Sequence, residues 1–358
     1  MTPPELVRRG RRVVITGGAG FIGTNLANRL LGQGTPVLIL DDLSRAGVEQ
    51  NLQWLCDRHG PLVAVEIADV RDASAVRRAV TGAAMVVHLA AQVAVTHSLD
   101  DPVMDFEVNI RGTLNVLEAA RHATTPTPVV FTSTNKVYGD LGDIALDCAT
   151  RYEPRDPRLR RRGISETRPL DFHSPYGCSK GAADQYVLDY ARSYRLPSVV
   201  FRMSCIYGPH QCGTEDQGWA AHFALRLLEG VPIVIYGDGR QVRDVLFVDD
   251  LVDAFLAAAA HLPATAGMAF NIGGGPTRAT SVLEFVHLLA GLHGVMPDIQ
   301  FGPWRVGDQR YYVSDTRRFG QATGWHPQVS VADGAARLYD ALEQRQKPPV
   351  LAARKAGS

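Results

Sequence analysis

The stretch "VVITGGAGFIG", residues 13–23, joins an apolar run to a turn in which Gly17, Gly20 and Gly23 are spaced three residues apart. Its β-branched start predicts a buried strand, and the residues that follow predict a helix. Glycines at such a turn let the backbone approach a pyrophosphate, whose charge then lies at the N-terminus of the helix. A glycine triplet alone is weak evidence, because turns collect glycine for other reasons. The residues expected to contact the pyrophosphate are Gly17, Gly20, Phe21, Ile22 and Gly23.

Short apolar runs alternate with helix-length amphipathic stretches over the first part of the chain. The apolar runs are 11–16, 35–40, 61–67, 83–90, 128–133 and 197–202. The amphipathic stretches between them include 21–33, 102–123 and 176–195. Continuous apolar strands are typical of a parallel sheet that is covered on both faces. The alternation therefore predicts an α/β fold, a Rossmann-type doubly wound parallel sheet with right-handed crossovers.

A chain of 358 residues is too long for one ordinary core and predicts two domains. After about residue 203 the alternation loosens, and Gly- and Pro-rich turns separate shorter elements. Ligands of such sheets bind at the carboxyl ends of the strands, where we expect the second domain to pack. The expected division is a dinucleotide-binding Rossmann domain over 1–203 with a loop excursion at about 140–172, a smaller mixed α/β substrate-binding domain over 204–345 from which about 240–262 returns to the first domain, and a flexible tail over 346–358.

The composition argues against several classes of partner. Lys and Arg together number 37, as do Asp and Glu, so neither nucleic acid nor an anionic membrane surface is an expected partner. No apolar run reaches the roughly 20 residues that span a bilayer, and "MTPPELVRRGRR" lacks the apolar core of a signal peptide, so we expect a cytoplasmic protein. The five cysteines are scattered without a CxxC pair, which argues against a disulfide framework and a zinc site; no metal is expected.

Asp41 follows the second predicted strand, 18 residues beyond Gly23. An acidic side chain at this point accepts hydrogen bonds from the adenosine ribose and repels a 2′-phosphate, so NAD is favoured over NADP as cofactor. The alternative is that Asp41 and Asp42 cap a helix and face solvent. Further residues expected to face the same crevice and bind NAD are Ser44, Arg45, Asp69, Val70, Leu89, Ala90, Ala91, Gln92 and Asn109.

Tyr176 and Lys180 in "SPYGCSK" lie four residues apart on a predicted helix, so both side chains emerge on one face. A tyrosine hydroxyl has an ordinary pKa of about 10 and becomes a usable base at neutral pH only where positive charge stabilises the phenolate. Thr134, at the end of the fifth strand, is placed to hydrogen-bond a substrate hydroxyl. The alternatives are an exposed Tyr-Lys pair and a strand-end cap. Because a dinucleotide motif lies upstream, the catalytic candidates are Thr134, Tyr176 and Lys180, the last two also contacting the cofactor.

Four motifs together resemble the extended short-chain dehydrogenase/reductases that act on nucleotide sugars, the NAD-dependent epimerase/dehydratase family: "TGGAGFIG", "YGCSK", "GDGRQVRDVLFVDDL" and "FNIGGG". The resemblance covers nearly the whole chain. Within the family, "STNKVYGDL", "DQGW" and "GDQR" are most similar to enzymes that invert C2 of a CDP-linked hexose. The resemblance implies an isomerase with a CDP-linked nucleotide-sugar substrate. It also implies a homodimer or homotetramer, because the predicted helices 102–123 and 176–195 resemble those that pair relatives into dimers.

The resemblance implies a mechanism without net oxidation. Tyr176 would remove the proton of the sugar 2-hydroxyl while hydride passes from C2 to a tightly bound NAD, which is regenerated in each cycle. The 2-keto sugar would then turn and take the hydride on its other face. Lys180 would hold the nicotinamide ribose and lower the Tyr176 pKa, and Thr134 would orient the hydroxyl.

The resemblance also implies contacts to the nucleotide sugar. Arginine suits the diphosphate because its planar fork pairs with phosphate oxygens. At Cys205 relatives often carry Asn, and a thiol replaces that donor poorly, which leaves the identity of the nucleotide open. The candidate substrate-binding residues are Thr134, Asn135, Cys205, Arg243, Arg305, Asp308 and Gln309.

Three other functions are alternatives to C2 epimerisation. Sugar dehydratases of this family need an acid and a base directly after the threonine, where this chain has Asn135 and Lys136, so dehydration is disfavoured. An epimerase acting at C4 would use the same tyrosine and cofactor and would differ only in pocket shape. A non-catalytic NAD-binding regulator is the third alternative, and the intact Thr134, Tyr176 and Lys180 count against it.

Overall fold

The computed structural model describes residues 11–346 and is built around one parallel sheet. The strands are β1 Val13–Thr16, β2 Val37–Asp41, β3 Val63–Ile67, β4 Met85–His88, β5 Val129–Thr134, β6 Leu146–Cys148, β7 Tyr152–Pro154, β8 Ser198–Met203, β9 Cys205–Tyr207, β10 Ile233–Tyr236, β11 Val242–Phe247, β12 Met268–Ile272, β13 Ala279–Ser281, β14 Ile299–Gly302 and β15 Tyr311–Tyr312. The α-helices are α1 Phe21–Gly32, α2 Val48–His59, α3 Ala73–Val80, α4 Val95–Asp100, α5 Pro102–Phe106, α6 Gly112–Arg121, α7 Pro157–Arg162, α8 Ser174–Tyr194, α9 Trp219–Leu228, α10 Val248–Ala260, α11 Leu262–Thr265, α12 Val282–His293, α13 Arg317–Thr323 and α14 Val331–Gln346. A π-helical segment, Glu107–Arg111, joins α5 to α6, and short 3₁₀ turns cover Gly60–Leu62, Asn135–Tyr138 and Pro276–Arg278.

Seven parallel strands form the main sheet in the order β12-β8-β5-β4-β1-β2-β3. β1 lies inside the sheet, with Thr16 paired to Leu40 of β2 and to His88 of β4. This order, with helices on both faces, confirms the predicted Rossmann-type doubly wound fold. Each of the six apolar runs overlaps one of these strands, and β2, β5 and β8 end one residue beyond their runs. β12 is an addition that the runs do not predict.

β3 lies at the edge of the main sheet and departs from the expected burial on both faces. Val65 is 39% exposed and Ile67 is 67% exposed. Among the described strands, β2 alone pairs with β3. Its apolar sequence resembles that of the inner strands, but its position leaves part of that surface uncovered.

Two apolar cores cover the two faces of the main sheet. The core under α1, α10 and α13 includes Leu26, Ile39, Phe255, Phe270 and Phe319. The core under α3, α6 and α8 includes Val86, Val116, Leu117, Phe131 and Val187. Burial of this apolar surface is the main force that fixes the helices over the sheet, and with them the side chains at the strand ends.

A smaller mixed unit follows β8. Its strands form the pair β10-β14 and a sheet in which β11 lies between β13 and β15 and also pairs with β9, while α9, α12 and α14 cover them around Phe223, Phe285 and Leu338. From the segment expected to return to the first domain, α10 packs in the Rossmann core but β11 pairs within the smaller unit. β12 and α13 also pack in the Rossmann core, although the expected division gives them to the second domain. The predicted tail lies, apart from Gln346, outside the described residues.

Residues 11–346 contain neither a membrane-spanning helix nor a cluster of metal ligands, and their cysteines are not paired. None of their helices is both long enough and apolar enough to cross a bilayer. Nowhere in this part of the chain do three or more His, Cys, Asp or Glu side chains gather as a metal ion would require. The five cysteines are free thiols.

A buried ion pair ties α8 to the main sheet. Arg202 of β8 donates to both carboxylate oxygens of Asp184 of α8, at 2.9 and 3.0 Å. The two side chains are 5% and 0% exposed. Arg202 also donates to the Tyr138 hydroxyl at 3.2 Å, and Tyr138 donates to Asn271 of β12 at 2.7 Å. The pair therefore fixes α8 relative to the strands that carry the site.

Replacing Arg202 by Met is expected to lower the free energy of unfolding by about 3–5 kcal/mol, because the buried Asp184 carboxylate then loses its ion-pair partner and, among the side chains of the described residues, keeps only the hydrogen bond from the Gln185 amide. Urea unfolding followed by circular dichroism measures the change. Asp189→Asn on the same helix is the matched control, since its partner Arg192 is exposed, and it should cost at most about 1 kcal/mol. Equal losses in the two variants would contradict the importance of the buried pair.

Candidate active site

The turn between β1 and α1 packs tightly against the segment that follows β4. Gly17 has a φ of 66°, and a Cβ atom there would lie 2.7 Å from the Ala90 nitrogen. At Gly23, in the first turn of α1, a Cβ atom would lie 2.6 Å from the Gly17 oxygen. No side chain of the described residues caps α1 at Gly20, so the N–H groups of its first turn are available to an anion. The turn therefore fits a pyrophosphate.

The Asp41 carboxylate lies at the end of β2, beside this turn. It accepts hydrogen bonds from the Ala19 and Leu43 N–H groups, both at 3.0 Å. Burial raises its pKa, and the Arg45 guanidinium attracts the charge. α2 begins after Gly47, so Asp41 does not cap a helix. A carboxylate held in this position favours a ribose hydroxyl over a 2′-phosphate, as NAD requires.

Two other residues predicted to bind NAD near the adenosine, Ser44 and Asp69, interact with neighbouring side chains. Ser44 donates to Asp42 at 2.7 Å, and Asp69 pairs with Arg71 at 2.5 Å. Val70 is buried. Because β3 pairs in parallel with β2, Asp69 and Val70 lie at the same edge of the sheet as the end of β2, as predicted for an adenosine site.

The Asn109 side chain hydrogen-bonds the backbone of Gln92, at the end of the segment after β4, Leu89 to Gln92. The Gln92 N–H donates to Asn109 Oδ1 at 3.0 Å, and Asn109 Nδ2 donates to the Gln92 carbonyl at 3.1 Å. Asn109 is fully buried. It therefore positions Ala90, Ala91 and Gln92 next to the glycine turn and does not itself face the crevice.

Thr134, Tyr176 and Lys180 come together at the end of β5. The Thr134 hydroxyl accepts the Lys136 N–H at 3.2 Å and so starts a 3₁₀ turn. The Tyr176 hydroxyl lies close enough to the same threonine for its pKa to be affected, and the Tyr176 backbone N–H donates to Ser98 at 3.1 Å. Lys180 follows one turn later on α8 and is buried. The geometry matches an acid/base pair with a supporting cation.

Burial controls the charge of these groups. It raises the pKa of Tyr176 to about 12, whereas the nearby Thr134 side chain lowers it. Burial lowers the pKa of Lys180 to about 7, and the carboxylate of Asp105 raises it. The Lys180 ammonium lies 4.3 Å from the centre of the Phe131 ring. A phenolate at Tyr176 therefore needs added positive charge, which a nicotinamide ring would supply.

A cluster of opposite charges lies beyond Asn135. Arg243 of β11 donates to Asp308 at 2.6 Å, and Lys136 Nζ lies 3.6 Å from the same carboxylate oxygen. The Asn135 amide donates to Gln309 Oε1 at 3.2 Å. Two cations and one carboxylate leave the cluster with a net positive charge, which suits a diphosphate.

Arg305 and Cys205 have other partners. Arg305 donates to the Glu215 carbonyl at 3.0 Å, and its guanidinium lies 3.9 Å from the centre of the Tyr236 ring. The Cys205 sulfur accepts a hydrogen bond from the Trp219 indole at 3.5 Å, and burial raises the pKa of the thiol. Cys205 is therefore a neutral group at this position.

The model of the NAD dependent epimerase/dehydratase family matches residues 13–273. The chain belongs to this family. A CDP-paratose 2-epimerase from Salmonella typhi is 44% identical over 92% of this chain and 98% of its own length. A UDP-glucose 4-epimerase from Mycolicibacterium smegmatis is 36% identical over 94% of this chain and 100% of its own. The crystal structure of a Thermus thermophilus UDP-glucose 4-epimerase with NAD has a TM-score of 0.78 at 33% identity and covers 92% of this chain and 98% of that chain.

Membership of the epimerase/dehydratase family confirms the predicted resemblance, the prediction of an enzyme and the prediction of NAD as its cofactor. The glycine turn and Asp41 provide a structural basis for that cofactor. The roles given to individual site residues stay predictions.

Three polar side chains of the epimerase/dehydratase site are not in the predicted set. Lys136 could have been found, because it directly follows two candidates in the sequence. Asp105 precedes a predicted cofactor residue by one helical turn, which is a weaker signal. His88 lies between Thr16 and Thr113, at 2.6 and 3.0 Å, and burial lowers its pKa to about 3. Nothing in the sequence singles it out.

Replacing Gly23 by Ala is expected to remove NAD from the purified protein, because the added Cβ atom would displace the Gly17 carbonyl. Overpacking of this kind also lowers the free energy of unfolding by about 1–3 kcal/mol. NAD per polypeptide and urea unfolding measure the two effects. Gly32→Ala, at the end of the same helix, has nothing within 4 Å of its new Cβ atom and is the control. Full NAD content in the Gly23 variant would show that the turn is looser than described.

Proposed function

We propose that this chain catalyses C2 epimerisation of a CDP-linked hexose of the CDP-paratose and CDP-tyvelose type, with CDP-glucose and CDP-mannose as the other pair in this class. The observation that carries the proposal is the position of Thr134 at the end of β5, where it lies close enough to the buried Tyr176 hydroxyl to lower its pKa and is followed directly by Asn135 and Lys136. The 44% identity to a CDP-paratose 2-epimerase supports it. Bound NAD would accept hydride from the sugar carbon and return it, so that the cofactor is not consumed.

Proton transfer is the part of this reaction that the chain's own side chains perform. Tyr176, as phenolate, takes the proton of the sugar 2-hydroxyl, and the Thr134 hydroxyl orients both groups. Lys180 in its charged form favours the phenolate. Tyr176 returns the proton when the 2-keto sugar is reduced. Because one tyrosine serves both faces of C2, the sugar has to turn within the site between the two half-reactions.

The turn after Thr134 disfavours loss of water from the sugar. Elimination needs a proton donor and a base at the two positions that Asn135 and Lys136 occupy. The Asn135 amide donates to Gln309 at 3.2 Å and is a poor acid. Lys136 donates to the Gly307 carbonyl at 3.0 Å and lies beside Asp308, which is an arrangement for a cation. Oxidation, rotation and reduction therefore remain as the chemistry of the site.

The net positive cluster is proposed to hold the substrate diphosphate. Arg243 is the principal candidate, because its planar guanidinium can pair with two phosphate oxygens. Asp308 positions Arg243 through an ion pair, and Gln309 positions Asn135 through a hydrogen bond. Arg305 is proposed to contact the nucleotide next to this cluster. The proposal for cytidine rests on similarity to relatives and not on a contact that reads the base.

C4 epimerisation is the second candidate function, favoured by the 36% identity to a UDP-glucose 4-epimerase. The same tyrosine, threonine and cofactor would serve it. The two reactions differ in which sugar hydroxyl faces Tyr176, and therefore in the shape of the pocket around the sugar.

We also propose that the chain forms a homodimer or a homotetramer through the helices predicted for this purpose. Exposed apolar side chains on α5 and α8 support the proposal: Val103, Met104, Phe106, Tyr186 and Tyr194. Exposed apolar patches of this kind mark interaction surfaces. The cytoplasmic location stays a prediction from the sequence.

Purified protein is expected to interconvert a CDP-hexose and its C2 epimer and to retain the C2 hydrogen when the reaction runs in heavy water. Hydride transfer within the site keeps that hydrogen away from solvent. Nuclear magnetic resonance of the product distinguishes C2 from C4 inversion, and a panel of CDP-, UDP- and GDP-sugars identifies the nucleotide. Deuterium at C2 would indicate carbanion chemistry, and inversion at C4 would select the second candidate.

Tyr176→Phe is expected to lower kcat by about 10²–10⁴-fold, because the general acid/base is lost, while NAD stays bound. Tyr186→Phe, on the exposed side of the same helix, removes only a hydroxyl and keeps the ring that the proposed subunit contact uses, so it should have the activity of the unmodified protein. Initial rates and NAD content measure both variants. A Tyr176→Phe enzyme with nearly full activity would exclude this tyrosine as the acid/base.

A further inference from the structure

Asp105, in α5, carries a carboxylate that is buried beside the segment after β4, Leu89 to Gln92, which is predicted to bind NAD. The residue is 1% exposed. Its Oδ1 accepts hydrogen bonds from Asn109 Nδ2 and Gln92 Nε2, both at 3.1 Å. Its Oδ2 is buried and has no hydrogen-bond partner within residues 11–346. Burial raises the pKa of this carboxyl, whereas Ser179 and the Lys180 ammonium lower it. Burial of an acceptor without a partner is costly, so this oxygen requires a physical explanation.

The π-helical segment Glu107–Arg111 brings this carboxylate and its partner against α8. Asn109, one turn after Asp105, also donates to Ser179 Oγ at 3.0 Å. The Ser179 hydroxyl in turn donates to the Tyr176 carbonyl at 3.2 Å. π-helical turns within α-helices occur frequently at functional sites. A continuous set of hydrogen bonds therefore links Asp105 to the helix that carries the catalytic candidates.

Lys180 is 3% exposed and has charged and aromatic groups on several sides. The groups that face it are Asp105 from α5, His88 from β4, Phe131 from β5 and Asp184 from its own helix. His88 is neutral, since burial lowers its pKa to about 3. Asp184 is bound through both oxygens by Arg202. In the described part of the chain, Asp105 is thus the carboxylate near Lys180 without an ion-pair partner.

We propose that Asp105 is a positioning residue of the reaction: it supplies the counter-charge of Lys180 and holds the Gln92 and Asn109 amides in place. The proposal rests on the proposed hydride mechanism but not on the identity of the sugar. With a phenolate at Tyr176 and one positive charge on the nicotinamide ring, Lys180 and Asp105 make the site neutral overall. The sum is unchanged after the proton and the hydride have moved. Without Asp105 the buried site would carry one uncompensated positive charge throughout.

The charge of Asp105 acts on the two catalytic groups in the same direction. It attracts the Lys180 ammonium and repels a Tyr176 phenolate, and each effect raises a pKa. Turnover needs Lys180 protonated and Tyr176 deprotonated. Loss of the Asp105 charge lowers both pKa values, so the range of pH in which the enzyme works moves to lower pH.

Asp105→Asn tests this, because an amide has nearly the same shape and its oxygen can still accept both hydrogen bonds. We expect both limbs of the kcat profile to move to lower pH by about one unit, with NAD retained. Asp101→Asn is the control: Asp101 is exposed at the start of the same helix, where its side chain accepts the Met104 N–H at 2.9 Å. Its profile should coincide with that of the unmodified protein.

A second measurement needs no sugar. Cyanoborohydride reduction of bound NAD, followed by absorbance, should be at least about threefold faster in Asp105→Asn, because removing a nearby negative charge favours hydride acceptance at the ring. If the unmodified enzyme turns over no nucleotide sugar, the proposed function fails and the reduction rate alone decides the role of Asp105.

The proposal would be overturned if Asp105→Asn changed neither the pH limbs of the kcat profile nor the rate of NAD reduction, whatever the size of kcat. This result would show that Asp105 is protonated or has a purely structural role. If Asp105→Asn does not fold, Asp105→Glu provides the comparison. Folding and NAD binding in the Glu variant would show that the charge is what the site requires, and failure of the Glu variant as well would assign Asp105 a packing role and overturn the proposal.

Discussion

The buried ammonium group of Lys180 is the constraint around which the catalytic side of the molecule is organised. A cation removed from water is stable only where opposite charge and polarisable groups replace its hydration. Here the Phe131 ring lies 4.3 Å away, and the carboxylates of Asp105 and Asp184 approach from two helices. These groups come from β5, α5 and α8, so the requirements of one charge connect elements that are far apart in the chain. The pKa of about 7 that results keeps the lysine close to the balance between its two forms.

The substrate side of the cleft uses charge in the opposite way. Asp308 is the carboxylate between Arg243 and Lys136, so the cluster has one more positive charge than negative. Such an excess is unfavourable in a partly buried place until an anion arrives. A polyanionic ligand therefore completes this cluster, whereas Lys180 and its neighbours are already balanced by groups of the protein. The difference separates the cluster that is proposed to hold the substrate from the side chains that are proposed to perform the chemistry.

The sequence predicts the fold and the main site residues because their signals are local. Apolar runs, a glycine turn and a tyrosine four residues before a lysine can each be recognised within a few positions. The exposed outer side of β3 and the addition of β12 could not be predicted, since each depends on which strand lies alongside. The role of Asn109 behind Gln92, the charge of Asp105 and the place of His88 depend on contacts with elements distant in the sequence. These residues form the support of the site, and no short pattern encodes them.

The position of Thr134 has one further consequence. Its hydroxyl accepts the Lys136 N–H at 3.2 Å, donates to Asn135 Oδ1 at 3.3 Å and lies near the Tyr176 hydroxyl, whose pKa it lowers. A hydroxyl has a single proton to give. When Tyr176 is a phenolate, that proton points to the phenolate, and when Tyr176 is protonated it is free to return to Asn135, whose amide holds Gln309. The orientation of one O–H bond can thus report the protonation state of the tyrosine to the opposite wall of the cleft.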